Sequence, residues 1–216
     1  MSAIFVTGTG TEVGKTVVAA AIANTLRADG ASVAVFKPAV TGIDDPGESD
    51  HALLRRAAGS SQDYDEIAPY RYGPPASPHL AAEMHGERID PQVLLAAAAA
   101  AAAAGDSLVC EGVGGLRVPL APGFGVRDLA VALGYPLAIA APPGLGTINH
   151  TLLTIESARA AGLEVAKVVL TPWPREPSAI ESSNRDSIAA MGGVRVEGLE
   201  TLDLAEPSGW PRLDPA

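Results

Sequence analysis

The stretch IFVTGTGTEVGKTVV, residues 4–18, decides the fold, because a loop of glycine and threonine joins an apolar run to an alanine-rich one. The run from Ile4 to Val6 is typical of a buried strand, and the segment after Thr16 is typical of a helix. Glycines let backbone N–H groups turn toward an anion, and a helix start adds partial positive charge. Lys15 is placed to reach terminal phosphates and Thr16 to ligate Mg²⁺. The stretch therefore predicts a loop that holds a nucleoside triphosphate.

This loop is a variant of the pattern G-x-x-x-x-G-K-[ST], because position 9 is Thr and the glycines stand at positions 8 and 10. The alternative is a glycine-rich turn that ends in Gly-Lys-Thr by chance. The order strand, loop, helix favours the phosphate loop.

Composition limits the partners of this chain. Its 216 residues suit one domain with a sizeable core, which we expect to span residues 1–216. The net charge is −10, from 15 basic and 25 acidic residues, and no stripe of Lys and Arg is present. These features argue against nucleic acid and anionic membranes as partners.

The single cysteine, Cys110, lies in an apolar run, so an intramolecular disulfide is excluded and a reducing compartment is expected. The start, MSAIFVTGTG, lacks the basic segment of a signal peptide. The alanine run from Ala96 to Ala104 follows Pro91 and predicts a helix that is too short and too small in side chains to span a membrane. We therefore expect a cytoplasmic protein.

Short apolar runs alternate with helical patterns along the chain. Continuous apolar strands of this kind predict an α/β fold of three layers, with a mainly parallel sheet between two layers of helices. The predicted strands are Ala3 to Val6, Val33 to Phe36, Leu108 to Cys110, Leu137 to Ala140 and Val165 to Leu170, and the predicted helices are Thr16 to Ala28, Asp50 to Ala58, Pro91 to Ala104, Val126 to Leu133 and Ile148 to Ala161.

Function in such folds gathers at the carboxyl ends of the strands. The second predicted strand ends in FKPAVTG, which places Lys37 and Thr41 at that edge, and the third ends in CEGVGG, which places Glu111 there. A carboxylate directly after an apolar strand is the expected position of an acidic group near Mg²⁺. The alternatives are a solvated strand end for Lys37 and an ordinary turn carboxylate for Glu111.

Three aspartates, Asp44, Asp45 and Asp50, lie in the loop after the second strand, and the residues themselves do not choose a metal ligand among them. Asp50 or Ser49 is equally suited to cap the helix that follows. The four histidines, at positions 51, 79, 85 and 150, lack metal-ligand spacing, which favours surface or helix-end roles.

Six stretches taken in order resemble one family: FVTGTGTEVGKT, FKPAVTG, ESDHALL, PPASPHLAA, CEGVGGLRVPL and GLGTINHTLLT. On these the chain is identified as resembling dethiobiotin synthetase, an ATP-dependent carboxylase of biotin biosynthesis with a P-loop fold. The resemblance runs from about residue 3 to residue 170.

The resemblance implies a diamine substrate, 7,8-diaminononanoate, together with CO₂, Mg²⁺ and ATP. One amine is carbamylated, the carbamate is phosphorylated, and the other amine displaces phosphate to close a cyclic urea. A carbamate approaching a triphosphate brings two anions together, so Lys15, Lys37 and Mg²⁺ would stabilise the transferring phosphoryl group.

Site residues follow from the resemblance position by position. Lys37, Lys15, Glu12 and Thr11 are predicted to be catalytic, and Thr16, Asp50 and Glu111 to ligate the metal, with Asp50 chosen because SDHAL matches the family. The predicted nucleotide contacts are Glu12, Val13, Gly14, Lys15, Thr16, Val17, Asp50, Glu111, Gly112, Val113, Gly114, Thr171 and Pro172, and the predicted substrate contacts are Lys37, Thr41, Gly144, Leu145, Gly146, Thr147, Ile148 and Asn149.

The last six of those substrate contacts precede or begin a helix. In the family a comparable helix start from a second subunit receives the distant carboxylate of the substrate. The resemblance therefore implies a homodimer with substrate bound across the interface.

One departure from the family concerns the nucleotide base. Many members have Asn at the end of the fifth strand, where its amide pairs with adenine, whereas this chain has Thr171 followed by Pro172 and Trp173. A Thr hydroxyl does not reproduce the two-sided amide pattern. Relaxed base selectivity, with turnover supported by CTP or GTP, is the resulting hypothesis.

Three other functions agree less well with the sequence. Amidotransferase synthetases of cobalamin assembly carry an extra glutaminase domain with a nucleophilic cysteine, for which this chain is too short. Partition-type ATPase switches have a second lysine where Gly10 stands here, and bind DNA or membranes through basic surfaces. A structural domain with a relic phosphate loop would not explain why Lys37, Thr41 and Glu111 stand at predicted strand ends.

Overall fold

The computed structural model describes residues 2–215. Its first strand, β1 (Ser2–Gly8), is buried from Ile4 onward, and its first helix, α1 (Lys15–Ala28), buries most of its apolar residues. The phosphate loop predicted from the sequence therefore connects a central strand to the helix packed beside it.

The other elements alternate as the sequence pattern indicates. The strands are β2 (Val33–Phe36), β3 (Ala39–Thr41), β4 (Tyr70–Tyr72), β5 (Ser107–Gly115), β6 (Pro119–Ala121), β7 (Phe124–Gly125), β8 (Leu137–Ala141), β9 (Val165–Leu170) and β10 (Arg195–Gly198). The helices are α2 (Asp50–Ala58), α3 (Tyr64–Ile67), α4 (Pro78–Met84), α5 (Pro91–Ala103), α6 (Val126–Leu133), α7 (Thr147–Ala160) and α8 (Ala179–Gly192).

Six strands form the main sheet in the order β10-β9-β8-β1-β5-β2. Every neighbouring pair in this sheet is parallel, so the carboxyl ends of its strands share one edge. Two small pairs, β3 with β4 and the hairpin β6–β7, lie outside it. The predicted α/β fold with a mainly parallel sheet is confirmed.

Helices cover both faces of the sheet, which explains why the strands are continuous apolar runs. On one face, α1 and α2 pack on β1, β2 and β5, and Leu199, Trp210 and Leu213 of the C-terminal segment complete that core. On the other face, α5 and α6 pack against the centre of the sheet, and α7 and α8 pack against β8 and β9.

The C-terminal part contains more regular structure than the sequence pattern indicates. Helix α8 begins with a capping box, in which the Ser178 hydroxyl accepts from the Glu181 backbone and the Glu181 carboxylate accepts from the Ser178 backbone. Strand β10 then extends the sheet beside β9, although the sequence after Val194 lacks clear apolar periodicity. The remainder, beyond Gly198, is largely irregular and packs over α1.

One predicted boundary was wrong. The strand expected to end at Cys110 continues to Gly115, so Glu111 lies within β5 rather than after it. Its regular pairing with β1 nevertheless runs only to Glu111, opposite Val6, before the register shifts. The carboxylate therefore stays at the edge of the sheet where the loops converge. None of the helices between residues 2 and 215 has the length and hydropathy that a bilayer span requires.

Candidate active site

The phosphate loop adopts the conformation that its glycines permit. Gly14 has a left-handed backbone (φ 84°) and immediately precedes α1, whose first N–H groups have no partner within the helix. The Lys15 ammonium donates to the carbonyl of Gly10 at 2.8 Å, so the lysine folds back over the loop. Among residues 2–215, Glu12 is the one non-glycine residue with a positive φ, 59°, a conformation typical of functional loops.

A cavity of about 800 Å³ opens beside this loop at the carboxyl edge of the sheet. It lies between the loop, the ends of β2, β3 and β5, and the segments that begin α2 and α4. Its lining includes twelve residues predicted from the sequence to be catalytic or to bind nucleotide or substrate: Thr11, Glu12, Gly14, Lys15, Thr16, Val17, Lys37, Thr41, Asp50, Glu111, Val113 and Gly114.

Three oxygen-bearing side chains converge at the bottom of the cavity. The Thr16 hydroxyl oxygen lies 2.9 Å from Asp50 Oδ1 and 2.9 Å from Glu111 Oε1. A hydroxyl carries one proton and donates to one carboxylate at a time, so one of the two carboxylate oxygens lies 2.9 Å from the Thr16 oxygen without receiving its proton. Asp50 contacts Thr16 because the start of α2 carries it to the phosphate loop.

Lys37 binds the same two carboxylates. Its ammonium lies 2.6 Å from Glu111 Oε1 and 2.8 Å from Asp50 Oδ2, in a side chain that is 3% exposed. An ammonium has three donors, and two are used here. The third is available to an anion in the cavity.

Charge and burial oppose one another in this cluster. Burial works against the charge of Lys37, but its ion pairs with Glu111 and Asp50 prevail and raise its pKa. Burial likewise works against the charge of Asp50, but Lys37 and Thr16 hold the pKa of this carboxyl below its ordinary value. Burial raises the pKa of Glu111 and lowers that of Lys15. Lys37 therefore stays protonated and Asp50 ionised at neutral pH.

The oxygen cluster suits a magnesium ion. Mg²⁺ takes oxygen ligands, commonly one or two carboxylates with phosphates and waters, in octahedral geometry that sets neighbouring oxygens about 2.9 Å apart. That separation equals the two distances measured from Thr16 Oγ1 to Asp50 and Glu111. Among residues 2–215, Glu111 Oε2 is also buried without a hydrogen-bond partner, as expected for an oxygen that a metal ion would bind.

Several predicted residues lie outside the cavity wall. Val13 packs on the core formed with α1, and Gly112 lies within buried β5. Thr171 is 4% exposed and faces the phosphate loop, since a Cβ at Gly14 would overlap its Cγ2 atom. The residues Pro172, Gly144, Leu145, Gly146, Thr147, Ile148 and Asn149 also do not line the cavity in this single chain.

Other residues of the cavity lining were not among the predicted nucleotide or substrate contacts. Ser77 and Pro78 lie at the start of α4, in the stretch PPASPHLAA that carries the resemblance. That motif could therefore have indicated that these two residues line the cavity. Asp45 and Glu48 come from the loop before α2, and Leu204 comes from the C-terminal segment.

The chain is similar to a family model and to three relatives that share one name. A family model described as an AAA domain matches residues 2–200. The chain is 43% identical over 203 residues to the ATP-dependent dethiobiotin synthetase BioD of Rhodococcus erythropolis (strain PR4 / NBRC 100887), covering 92% of this chain and 88% of that protein. It is 42% identical over 212 residues to that of Mycobacterium avium (strain 104), covering 95% and 92%, and 34% identical over 200 residues to that of Bacillus subtilis (strain 168), covering 92% and 87%.

Among solved structures, a ParA family ATPase from Chlorobium tepidum TLS superposes with a TM-score of 0.57 at 12% identity, over 96% of this chain and 90% of that one. This likeness concerns the fold alone. It agrees with the architecture predicted from the sequence.

Proposed function

This chain belongs to the ATP-dependent dethiobiotin synthetase family, and we propose that it forms dethiobiotin from 7,8-diaminononanoate, CO₂ and ATP. The observation that carries the proposal is the cluster of Lys37, Asp50, Glu111 and Thr16 beside the phosphate loop, in the cavity that also contains Lys15. This arrangement places two cations, Lys15 and Lys37, where the anionic carbamate and the triphosphate of ATP must meet.

The proposed reaction has three steps. A neutral amine attacks CO₂ and releases a proton to give a carbamate. A carbamate oxygen attacks the γ-phosphorus, ADP leaves, and a carbamic-phosphoric anhydride forms. The second amine gives up its ammonium proton to water, attacks the carbonyl carbon and expels phosphate, and its nitrogen releases one more proton as the cyclic urea closes.

The protein residues act on charge and position. Lys15 and the N–H groups at the start of α1 hold the β- and γ-phosphates, and Lys37 stabilises the carbamate and the transferring phosphoryl group. Thr11 and Glu12 border the reacting groups, and Thr41 offers its hydroxyl to an amine. Magnesium held by Thr16, Asp50 and Glu111 would neutralise phosphate charge. The buried, unpaired Cys110 suits the reducing cytoplasm in which we place the enzyme.

The test of this function is phosphate release by the purified protein with MgATP and bicarbonate, with and without 7,8-diaminononanoate, while dethiobiotin is followed by mass. We expect diamine-dependent release with a matching amount of product. ATP hydrolysis at the same rate with and without the diamine would contradict the proposal and favour a nucleotide-dependent switch.

The homodimer is the second part of the proposal. Leu145 is 99% exposed at the tip of the turn before α7, and burying a leucine side chain contributes roughly 1.5–3 kcal/mol. We place this turn, Gly144 to Asn149, against the cavity of a second copy, where the N–H groups at the start of α7 receive the substrate carboxylate.

Replacing Leu145 by Asp is expected to convert the dimer to monomer at micromolar concentration and to raise KM for the diamine about 10-fold or more, since burying a charge opposes association. KM for MgATP should stay near the wild-type value. Sedimentation equilibrium and steady-state kinetics measure both. Met191→Asp, which alters an exposed residue at the opposite end of the sheet, is the control, and equal behaviour of the two variants would contradict the assignment.

Base selectivity is a further prediction. Thr171 is buried against the phosphate loop, and its backbone N–H donates to the Ala141 carbonyl at 2.9 Å, so this position presents no amide to a base. We expect ATP, CTP, GTP and UTP to support dethiobiotin formation at similar rates at saturation. The measurement is product formed with each triphosphate, and strict dependence on ATP would show that another group recognises the base.

A further inference from the structure

The loop between β3 and α2 places two carboxylates in the cavity, Asp45 and Glu48, that have no role in the mechanism above. Asp45 lines the same cavity as Lys37 and Thr41, whereas its neighbour Asp44 is turned toward Gly73 and is not part of the lining. On these grounds we propose that Asp45 binds the ammonium group of the diamine substrate, an assignment that rests on the proposed function.

A tight turn holds the Asp45 carboxylate beside Thr41. The Asp45 backbone N–H donates to the Gly42 carbonyl at 3.1 Å, and Gly42 has a positive φ of 77°. A Cβ at Gly42 would lie 2.9 Å from Asp45 Oδ2, so this oxygen is folded back over the residue that follows Thr41. The turn is anchored at its other side, because the Gly42 and Ile43 N–H groups donate to the carbonyls of Pro74 and Tyr72.

The other carboxylates of the cavity are mostly engaged. Asp50 and Glu111 bind Lys37, and Glu48 forms a two-pronged ion pair with Arg56 at 2.6 and 2.9 Å. Within residues 2–215, Glu12 and Asp45 are the carboxylates of the lining that form no ion pair. Glu12 belongs to the phosphate loop, where triphosphate charge dominates. Asp45 is therefore the free anion on the side of Thr41.

The chemistry of the substrate calls for such a group. Alkyl amines resemble lysine in pKa, and two adjacent ammonium groups disfavour each other, so a vicinal diamine carries one firmly held proton at neutral pH. The neutral amine is the one that reacts with CO₂. The ammonium beside it must be placed near Lys15 and Lys37, which repel it, and the Asp45 carboxylate offsets this repulsion through a charge-assisted hydrogen bond.

The test uses Asp45→Asn, which keeps the shape of the side chain and removes its charge. We expect KM for the diamine to rise about 10-fold or more, while kcat and KM for MgATP stay within about 3-fold of wild type. Asp44→Asn is the matched control, since it removes the same charge one residue away, outside the cavity. Calorimetric titration of the diamine, with a non-hydrolysable ATP analogue present, measures the same contact without turnover.

The outcomes separate this inference from the function on which it rests. Equal diamine affinity in the two asparagine variants would overturn the role of Asp45 while dethiobiotin synthesis stands. A rise in KM for MgATP instead of the diamine would also overturn it, because Asp45 would then act on the nucleotide. Wild-type protein that binds the diamine but makes no dethiobiotin would contradict the function, and calorimetry would still decide the role of Asp45.

Discussion

Replacement of Lys37 by Gln is expected to lower kcat for dethiobiotin formation about 1000-fold with both substrates saturating. The ammonium is held 2.6 Å from Glu111 and 2.8 Å from Asp50, at the point where the cavity meets the phosphate loop. Glutamine can donate a hydrogen bond there but brings no charge to the carbamate and the transferring phosphoryl group. Loss of one such preorganised group typically costs 100- to 1000-fold in rate.

The same substitution also leaves the buried Glu111 and the partly exposed Asp50 without their cation, so folding has to be measured alongside rate. Removing one partner of a buried ion pair costs roughly 3–5 kcal/mol, and we expect a lower melting temperature in a variant that remains folded in circular dichroism. Arg56→Gln is the control, because it removes a cation from an exposed ion pair at the rim of the cavity and should change kcat by less than about 3-fold. Near-normal turnover by the folded Lys37→Gln enzyme would remove Lys37 from the catalytic role.

The position of Lys37 could be predicted from the sequence because a parallel sheet collects strand ends at one edge. The same logic located Glu111 correctly at that edge even though its strand continues to Gly115. Residue spacing alone left Asp44, Asp45 and Asp50 open, and family resemblance was needed to choose Asp50. In the structure Asp50 contacts Thr16, since the first turn of α2 faces the phosphate loop.

Features that depend on long-range packing could not be predicted in this way. Helix α8 has few buried residues, among them Asn184, Ile188 and Gly192, so its apolar periodicity is weak and only the capping box marks its start. Strand β10 has a polar, partly exposed pattern because it lies at the edge of the sheet. The free carboxylate of Asp45 depends on which loop residue turns toward the cavity, and sequence patterns do not specify such a direction.

Replacement of Gly14 by Ala is the second prediction with a large expected effect. Gly14 has φ 84°, which disfavours any L side chain by roughly 1–2 kcal/mol, and a Cβ there would also overlap Thr171 Cγ2. Either the phosphate loop or the end of β9 must then move. Because misplacement by about 1 Å near reacting groups costs roughly 100-fold, we expect kcat/KM for MgATP to fall by at least that factor.

Two further variants separate backbone strain from overlap. Gly30 has a similar φ of 89° but no atom within 4 Å of its Cβ position, so Gly30→Ala measures strain alone and should lower the free energy of unfolding by about 1–2 kcal/mol without affecting MgATP. Thr171→Ser removes the overlapping Cγ2, while the remaining Cβ and Oγ1 lie 3.7 and 3.8 Å from the new methyl group. The double variant Gly14→Ala/Thr171→Ser should therefore regain much of the lost MgATP affinity and retain the strain.

Urea denaturation and MgATP titration of these proteins, with Thr171→Ser alone as the baseline, test the close approach of Gly14 to Thr171. Failure of the double variant to recover would mean that the left-handed backbone of Gly14, rather than its contact with β9, is what the loop requires. Wild-type MgATP affinity in Gly14→Ala would contradict the roles of both the left-handed backbone and the contact with Thr171. The loop would then tolerate a side chain at the residue that directly precedes its lysine. Partial recovery of MgATP affinity in the double variant would instead show that the end of β9 supports the phosphate loop. Thr171 would then lie beneath the triphosphate and away from the base.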